Sequence, residues 1–317
     1  MSKFIFPSRL SRFAILLLLI SLCACSGVKH SLYDMAINHE RSKAGLVLKT
    51  LDVNGKSIAL LESENTAAKQ ALVLVHGFGA NKENWVRFAA YLTDTYHVIA
   101  VDLPGHGESI KDLSLPYDID DQVRYLNQIL AQLKINRFHI AGNSMGGAIS
   151  SLYAATYPDQ VQSVVLFNPG GVYDHESELH QLLRQGKNPL IVETADDFDR
   201  LMDFALEKKP FIPWPITSVL AEKAVKNKPI NDKIFQDIRG EHRYVFKDEL
   251  RKIKAPTLIL WGDKDRIINV KNAAIFESLI PNSRKLILEG IGHAPMIEIP
   301  EETAQICHDF FTPKQTG

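Results

Sequence analysis

The chain has 317 residues, 45% of them hydrophobic and 23% charged, an ordinary globular composition that allows one large or two small domains around a core needing no staples. Lys and Arg number 36 against 37 Asp and Glu, a formal net charge of -1, which offers no field for nucleic acid or for strongly charged substrates. With no basic stripe, RNA-binding signature or internal repeat in the sequence, a nucleic-acid role has no support.

In chain order, the first element is a targeting segment. Lys3, Arg9 and Arg12 precede an apolar run, Phe13 to Ala24, and no acidic residue occurs before Asp34. A basic region followed by a short apolar region reads as a secretory signal; the run falls short of the roughly 20 residues that span a bilayer. Leu22-Cys23-Ala24-Cys25 resembles the bacterial lipoprotein cleavage box. That resemblance makes residues 1–25 a lipoprotein signal with Cys25 as the lipidated residue. With Ser26 next, it implies an exported, membrane-anchored protein, at the outer membrane in enteric-type bacteria, on the periplasmic or surface side. An ordinary signal peptide and an uncleaved N-terminal anchor are the alternatives. Of the three cysteines only Cys307 then remains, so the mature domain holds no internal disulfide. Cys307 reads as a small buried apolar residue.

Residues 26–45 are polar and read as a tether with a first docking segment of helical character. Leu46 to Glu62 alternates around Asn54-Gly55, the strongest short hairpin signal. Short continuous runs rich in Val, Ile and Leu follow at Ala71–His76, His97–Leu103, Phe138–Gly142, Val161–Phe167, Thr257–Trp261 and Lys285–Leu288. Strands buried on both faces of a parallel sheet read this way. Helical patterns separate them at Trp85–Leu92, Ile119–Leu133, Met145–Tyr157, Val270–Leu279 and Pro300–Phe311. Strand and helix in alternation predict an α/β fold with a mostly parallel central sheet and helices on both faces. From about 173 to 251 no buried-strand run occurs, and that length exceeds an ordinary crossover. The reading is a core of 46–172 and 252–317 carrying a helical cap of 173–251.

Gly142-Asn143-Ser144-Met145-Gly146 lies between a buried-type strand and a helical pattern. A serine at the tip of so tight a strand-to-helix turn has a strained backbone, and its neighbours two positions away must lack Cβ. The helix beginning beneath it favours negative charge at the hydroxyl. A serine hydroxyl needs a base. His293, in Gly290-Ile291-Gly292-His293-Ala294-Pro295 after the last strand, suits that role. Asp263 and Asp265 both stand at the end of the strand that closes on Trp261-Gly262, and either can be the acid. The backbone N–H of Met145 and one from the loop His76-Gly77-Phe78-Gly79, taken as that of Phe78, would hold an oxyanion. His76 itself reads as a structural residue tying that loop down.

Together with Asp102-Leu103-Pro104-Gly105-His106-Gly107, these motifs resemble the α/β-hydrolase superfamily, from about residue 46 onward. The likeness is closer to bacterial cold-adapted lipases and membrane-associated monoacylglycerol lipases. In that family the order is Ser, acid, His. The resemblance implies Ser144, Asp265 and His293 as a triad, with Asp265 chosen by the Trp-Gly-x-x-Asp spacing and Asp263 left to shape the turn. It also implies lipase or esterase activity on a small acyl ester or lipid through an acyl-enzyme, with no cofactor and no metal. Asp196 to Ile216 resembles the cap of those lipases; Phe211, Ile212, Trp214 and Ile216 would either line an apolar mouth or pack the cap on the core, with Phe211 and Trp214 as the substrate-binding candidates. Two other readings share the motifs. A C–C bond hydrolase of vinylogous diketo acids also carries Gly-Asn-Ser-Met-Gly-Gly, but Ala294-Pro295-Met296 departs from its pattern. A non-catalytic binding protein of the same fold would have lost a triad member, whereas all three residue types stand here in order.

Overall fold

The computed structural model describes residues 27–66, 69–239 and 246–312. The targeting segment 1–25, with Cys25, lies outside the described residues. A helix, α1, runs through residues 27–43, the segment read as a tether. It docks by burying Tyr33 and Arg41.

Strands β1 (Leu46–Val53) and β2 (Lys56–Ser63) form the hairpin that Asn54-Gly55 announces. Both turn residues have positive φ, 54° and 76°, the requirement of a tight two-residue hairpin loop. Asp52 steadies the turn by accepting from the Gly55 N–H at 2.8 Å. β2 then pairs antiparallel with β4 (His97–Val101). The remaining strands are all parallel: β3 (Ala71–Val75), β5 (Phe138–Asn143), β6 (Val161–Phe167), β7 (Thr257–Gly262) and β8 (Ser283–Leu288). The eight-stranded order is β1-β2-β4-β3-β5-β6-β7-β8.

Each face of the sheet carries its own core. Val73, Val75 and Ile140 pack on one face against α3 (Ile119–Gln132), α4 (Met145–Thr156) and α10 (Asn272–Leu279). Leu72, Leu74 and Ala141 pack on the other against α2 (Val86–Ala89), α11 (Pro295–Glu298) and α12 (Pro300–Phe311), where Cys307 is buried and free. Alternate residues of one strand therefore serve two layers, which is why these runs are continuously apolar. Each fully buried Val or Leu contributes roughly 1.5–3 kcal/mol, so the central strands anchor everything placed at their ends. β8 departs from the expectation of burial on both faces. It is an edge strand, as β1 is, Leu286 and Ile287 are 41% and 40% exposed, and the exposed Arg284 and Lys285 guard an edge that would otherwise invite pairing.

Between β6 and β7 the described residues contain helices and no strand: α5 (Glu178–Arg184), α6 (Ala195–Ala205), α7 (Ile216–Lys226), α8 (Lys228–Asp237) and α9 (Phe246–Leu250). Thr194 caps α6 with a reciprocal bond to Asp197, so its start is written locally in the sequence.

Candidate active site

Parallel strands end on the same side, so the loops after β3, β5, β6, β7 and β8 converge at the carboxyl edge of the sheet. Ser144 links β5 to α4 with φ 57° and ψ -118°, a strained conformation for a residue with a side chain. The flanking glycines make it possible. A Cβ on Gly142 would stand 2.1 Å from the Gly146 carbonyl oxygen, and one on Gly146 would stand 2.2 Å from that of Val75. The Ser144 N–H donates to the Phe167 carbonyl at 3.0 Å, and its own carbonyl accepts from Ala148 at 3.1 Å and Gly170 at 2.8 Å. The turn is thus fixed on both sides.

His293 and Asp265 meet: Nδ1 lies 2.9 Å from Oδ2. A carboxylate only accepts, so Nδ1 carries the proton and the Nε2 lone pair is left for another donor. Asp265 is held from four other sides. Oδ1 accepts from the N–H groups of Ile267 at 2.8 Å and Ile268 at 3.0 Å. Oδ2 also accepts from the Trp261 indole at 3.1 Å and the Asn168 amide at 2.7 Å. Asp263 instead accepts from the Gly290 N–H at 2.7 Å and pairs with Lys264, shaping the turn.

Two asparagines tie the loops together, and motif reading assigned neither that task. Asn168, with φ 45°, donates to Asp265 and also to the Gly292 carbonyl at 3.2 Å. Asn143 donates to the Phe167 carbonyl at 3.1 Å and the His293 carbonyl at 2.9 Å. The residue before Ser144 is thereby bonded to the histidine's own main chain. A third brace is Glu298, whose carboxylate accepts from Gly292 at 3.0 Å and from Glu207 at 2.9 Å and Lys208 at 2.8 Å. The His293 N–H also donates to the Ala205 carbonyl at 2.8 Å. The only sequence signals for these braces are an Asn at each strand end and one Glu five residues after the histidine.

The loop after β3 runs against the serine: a Cβ on Gly77 would lie 3.2 Å from the Ser144 Cβ. His76 accepts from the Leu103 N–H at Nε2, 3.1 Å, and donates from Nδ1 to the Gly77 carbonyl at 2.8 Å. Burial keeps it neutral by pushing its pKa below the ordinary value. Beneath the loop, buried Lys82 donates to Asp102 at 2.8 Å and to Glu108 at 2.9 Å. Burial alone would raise the Asp102 carboxyl, but Lys82 and the surrounding bonds hold it below the usual carboxylate range. Met145 opens α4, so its N–H is one of those a helix leaves without an internal partner. Phe78 packs against Phe235 with ring centroids 5.5 Å apart.

A cavity of about 380 Å³ opens beside these groups. Ser144, Met145, Ala148, Leu152 and Thr156 line it along one side of α4, so it extends about 18 Å from the serine at 1.5 Å per helical residue. Phe78, Leu179 and Phe246 add to the apolar wall, and Asp118, Asp120, Asp237, Arg239 and Glu249 also line the cavity. Phe211 and Trp214 do not. They are 84% and 79% exposed on the segment between α6 and α7, outside the cavity lining, so the expectation that they form the apolar mouth is not what the structure places there. The segment has neither helix nor strand before α7 and carries prolines at 210, 213 and 215. Among the described residues no group of His, Cys, Asp and Glu is arranged to hold a metal.

The sequence profile of the alpha/beta hydrolase fold matches residues 70–212 and 207–300. The chain belongs to this family. The α/β hydrolase is 35% identical to Lipase 1 of Psychrobacter immobilis over 294 residues, spanning 90% of this chain and 92% of that one. It is 32% identical to the monoacylglycerol lipase ABHD6 of Homo sapiens over 253 residues, 76% of this chain and 75% of the relative. Among solved structures, a membrane phospholipase A described as a bacterial virulence factor superposes with a TM-score of 0.87 at 40% identity, over 95% of this chain and 97% of the other.

Proposed function

We propose that this α/β hydrolase is a lipase that cleaves acyl esters of lipids, with monoacylglycerol as the first substrate to test. The chain is a serine ester hydrolase, as its family and its lipase relatives have it. The finer reading rests on one observation: the cavity leaves Ser144 along an apolar side of α4 for about 18 Å, the length of an extended acyl chain of roughly a dozen carbons. In this reading Ser144 attacks the ester carbonyl while His293 takes its proton, oriented by Asp265. The N–H groups of Phe78 and Met145 receive the oxyanion, a contact whose loss typically costs about 3 kcal/mol of transition-state stabilisation. His293 then protonates the leaving alcohol, and water cleaves the acyl-enzyme. Residues 173–251 act as the cap over the cavity.

The C–C bond hydrolase reading is not favoured. It needs the Asn143 amide at the substrate, whereas that amide is spent on two main-chain carbonyls. The N-terminal segment, with Cys25 lipidated, attaches the enzyme to a membrane in this proposal. The support is the basic and apolar sequence of residues 3–24 ahead of Cys25.

The test is turnover of a p-nitrophenyl ester series and of monoacylglycerols of increasing chain length. An acyl-enzyme burst and a rise in kcat/KM up to about a dozen carbons are expected, both absent from Ser144→Ala. A Ser144→Ala variant that turns over ester, or a preference confined to acetyl esters, overturns the corresponding part. Labelled fatty acid should attach to the wild type and not to Cys25→Ser; equal labelling refutes lipidation at that cysteine.

A further inference from the structure

Phe211 and Trp214 are the most exposed large hydrophobic residues among those described, and nothing in the active site uses them. A second unpartnered apolar feature lies on α1. Val28, Leu32 and Met35 are 57%, 43% and 67% exposed, and their spacing of four and three places them on one face of that helix. Isolated exposed hydrophobics need no explanation, but a rimmed, clustered set marks a surface that meets something apolar.

The two features sit on or beside helices that touch each other. Lys29 and His30, near the start of α1, pair with Glu222 of α7, and Lys223 sits 3.9 Å over the Tyr33 ring. At its other end α1 uses Arg41 to hold Glu83. α7 is therefore joined to the first half of α1 through Glu222 and Lys223. Trp214 is two residues ahead of α7, and Ile216 to Glu222 spans about 9 Å. The aromatic segment thus leads into the helix on which α1 docks, and α1 itself starts two residues after Cys25.

We infer that Phe211 and Trp214, together with the Val28–Leu32–Met35 face of α1, form a second contact with the bilayer that the N-terminal segment reaches. The occupant is a phospholipid surface rather than a protein, because α1 follows directly on Cys25, the residue proposed to carry the lipid anchor. The chemistry of the loop fits as well. Aromatic rings with an adjacent exposed Lys208 match the boundary between acyl chains and headgroups, and three prolines keep the rings presented at little entropic cost. The contact also reaches the chemistry. Glu207 and Lys208, at the base of this loop, are bonded to Glu298, which holds Gly292 beside His293. A bilayer that seats the loop thereby fixes the catalytic edge of the sheet relative to the lipid.

This inference rests on the membrane attachment proposed above, and one experiment separates the two. The full chain carries three tryptophans; Trp85 and Trp261 are fully buried, so Trp214 alone can meet lipid. Full-length protein is mixed with phosphatidylcholine vesicles, floated, and its emission compared with vesicles whose acyl chains are brominated. Expected are co-flotation and loss of up to about one third of the emission, the share of one tryptophan in three, with no loss in Trp214→Phe. Met35→Trp placed in the Trp214→Phe background should restore the quenching. Protein that floats with unquenched Trp214, still open to aqueous acrylamide, overturns the second contact and leaves the anchor standing. Protein that does not float overturns both. A Trp214 shielded from bromine and acrylamide alike, with cross-linked pairs of chains, assigns the face to a second copy and overturns the bilayer reading.

Discussion

Asp265→Asn separates an orienting carboxylate from a merely structural one. The aspartate oxygens accept five hydrogen bonds: two main-chain N–H groups on Oδ1, and the Trp261 indole, the Asn168 amide and His293 on Oδ2. Asparagine offers one oxygen and one NH₂ in the same space. The main-chain donors of Ile267 and Ile268 cannot turn away, so the oxygen stays with them and the NH₂ takes the place of Oδ2. It then faces three donors, of which only the imidazole can change role. His293 must present an Nδ1 lone pair, which moves its proton to Nε2, where the serine's proton has to go. A wrong tautomer of this kind costs about 10⁴ in kcat, or about 5.5 kcal/mol of transition-state stabilisation. KM should hardly move, since Asp265 is buried and is not itself among the residues lining the cavity. Asp263→Asn keeps an acceptor for Gly290 and should stay within about threefold of wild type, as expected for a surface turn. The assay is steady-state hydrolysis of p-nitrophenyl butyrate with protein checked by a thermal melt. Asp265→Asn retaining a tenth of wild-type kcat, or Asp263→Asn losing as much as its neighbour, would refute the reasoning.

Three further outcomes follow from the same geometry. Ser144→Gly removes the side chain from a positive-φ position whose strain is of order 1–3 kcal/mol; after the entropic cost of a glycine, the melt should rise by a few degrees while activity vanishes, and a lower melting temperature contradicts the strain. Glu298→Ala leaves Gly292, Glu207 and Lys208 without their acceptor and should lower kcat roughly tenfold or more through a loosened His293, whereas wild-type kcat shows the brace to be idle. His139 is buried between Ser163 and Gln70 and stacked on Phe311, and burial pushes its pKa down to about 4. The unfolded chain therefore takes up a proton near pH 6.5 that the folded chain refuses until about pH 4, so stability is lost as pH falls through that window, by about 3 kcal/mol. His139→Gln should show a visibly shallower fall in melting temperature between pH 7 and pH 4, and an unchanged slope refutes the assignment.

The sheet was legible because its signal is local. A strand such as Ala71–Val75, buried on both faces, must be apolar at every position, and Asn54-Gly55 must take positive φ; both facts are written in consecutive residues. The turn at Ser144 is legible for the same reason, since the clash that excludes a Cβ at Gly142 involves Gly146 four positions away. Asp263 and Asp265 show where locality ends. Both follow Gly262 within three positions, and what separates them physically is whether a carboxylate turns toward a histidine 28 positions later or toward the Gly290 main chain. Resemblance chose between them where spacing could not.

The apolar side chains of Phe211 and Trp214 mark the other boundary. Hydrophobicity says that a residue gains by leaving water, but not whether the partner is the protein's own core or something outside it. The base of their segment is held by the Glu298 brace, which joins residues 90 and 91 positions apart. A side chain–main chain bond of that reach carries no periodicity, no motif and no composition. The same is true of Asn168, whose amide spans 97 positions to Asp265 and 124 to Gly292. In this chain the candidate catalytic groups sit in motifs because their local backbone must be unusual, and the groups bonded to them sit in plain sequence because any strand end or helix start can supply an amide or a carboxylate. A search for orienting residues should therefore begin from the main-chain N–H and C=O groups of the catalytic loops and ask which distant side chain satisfies each.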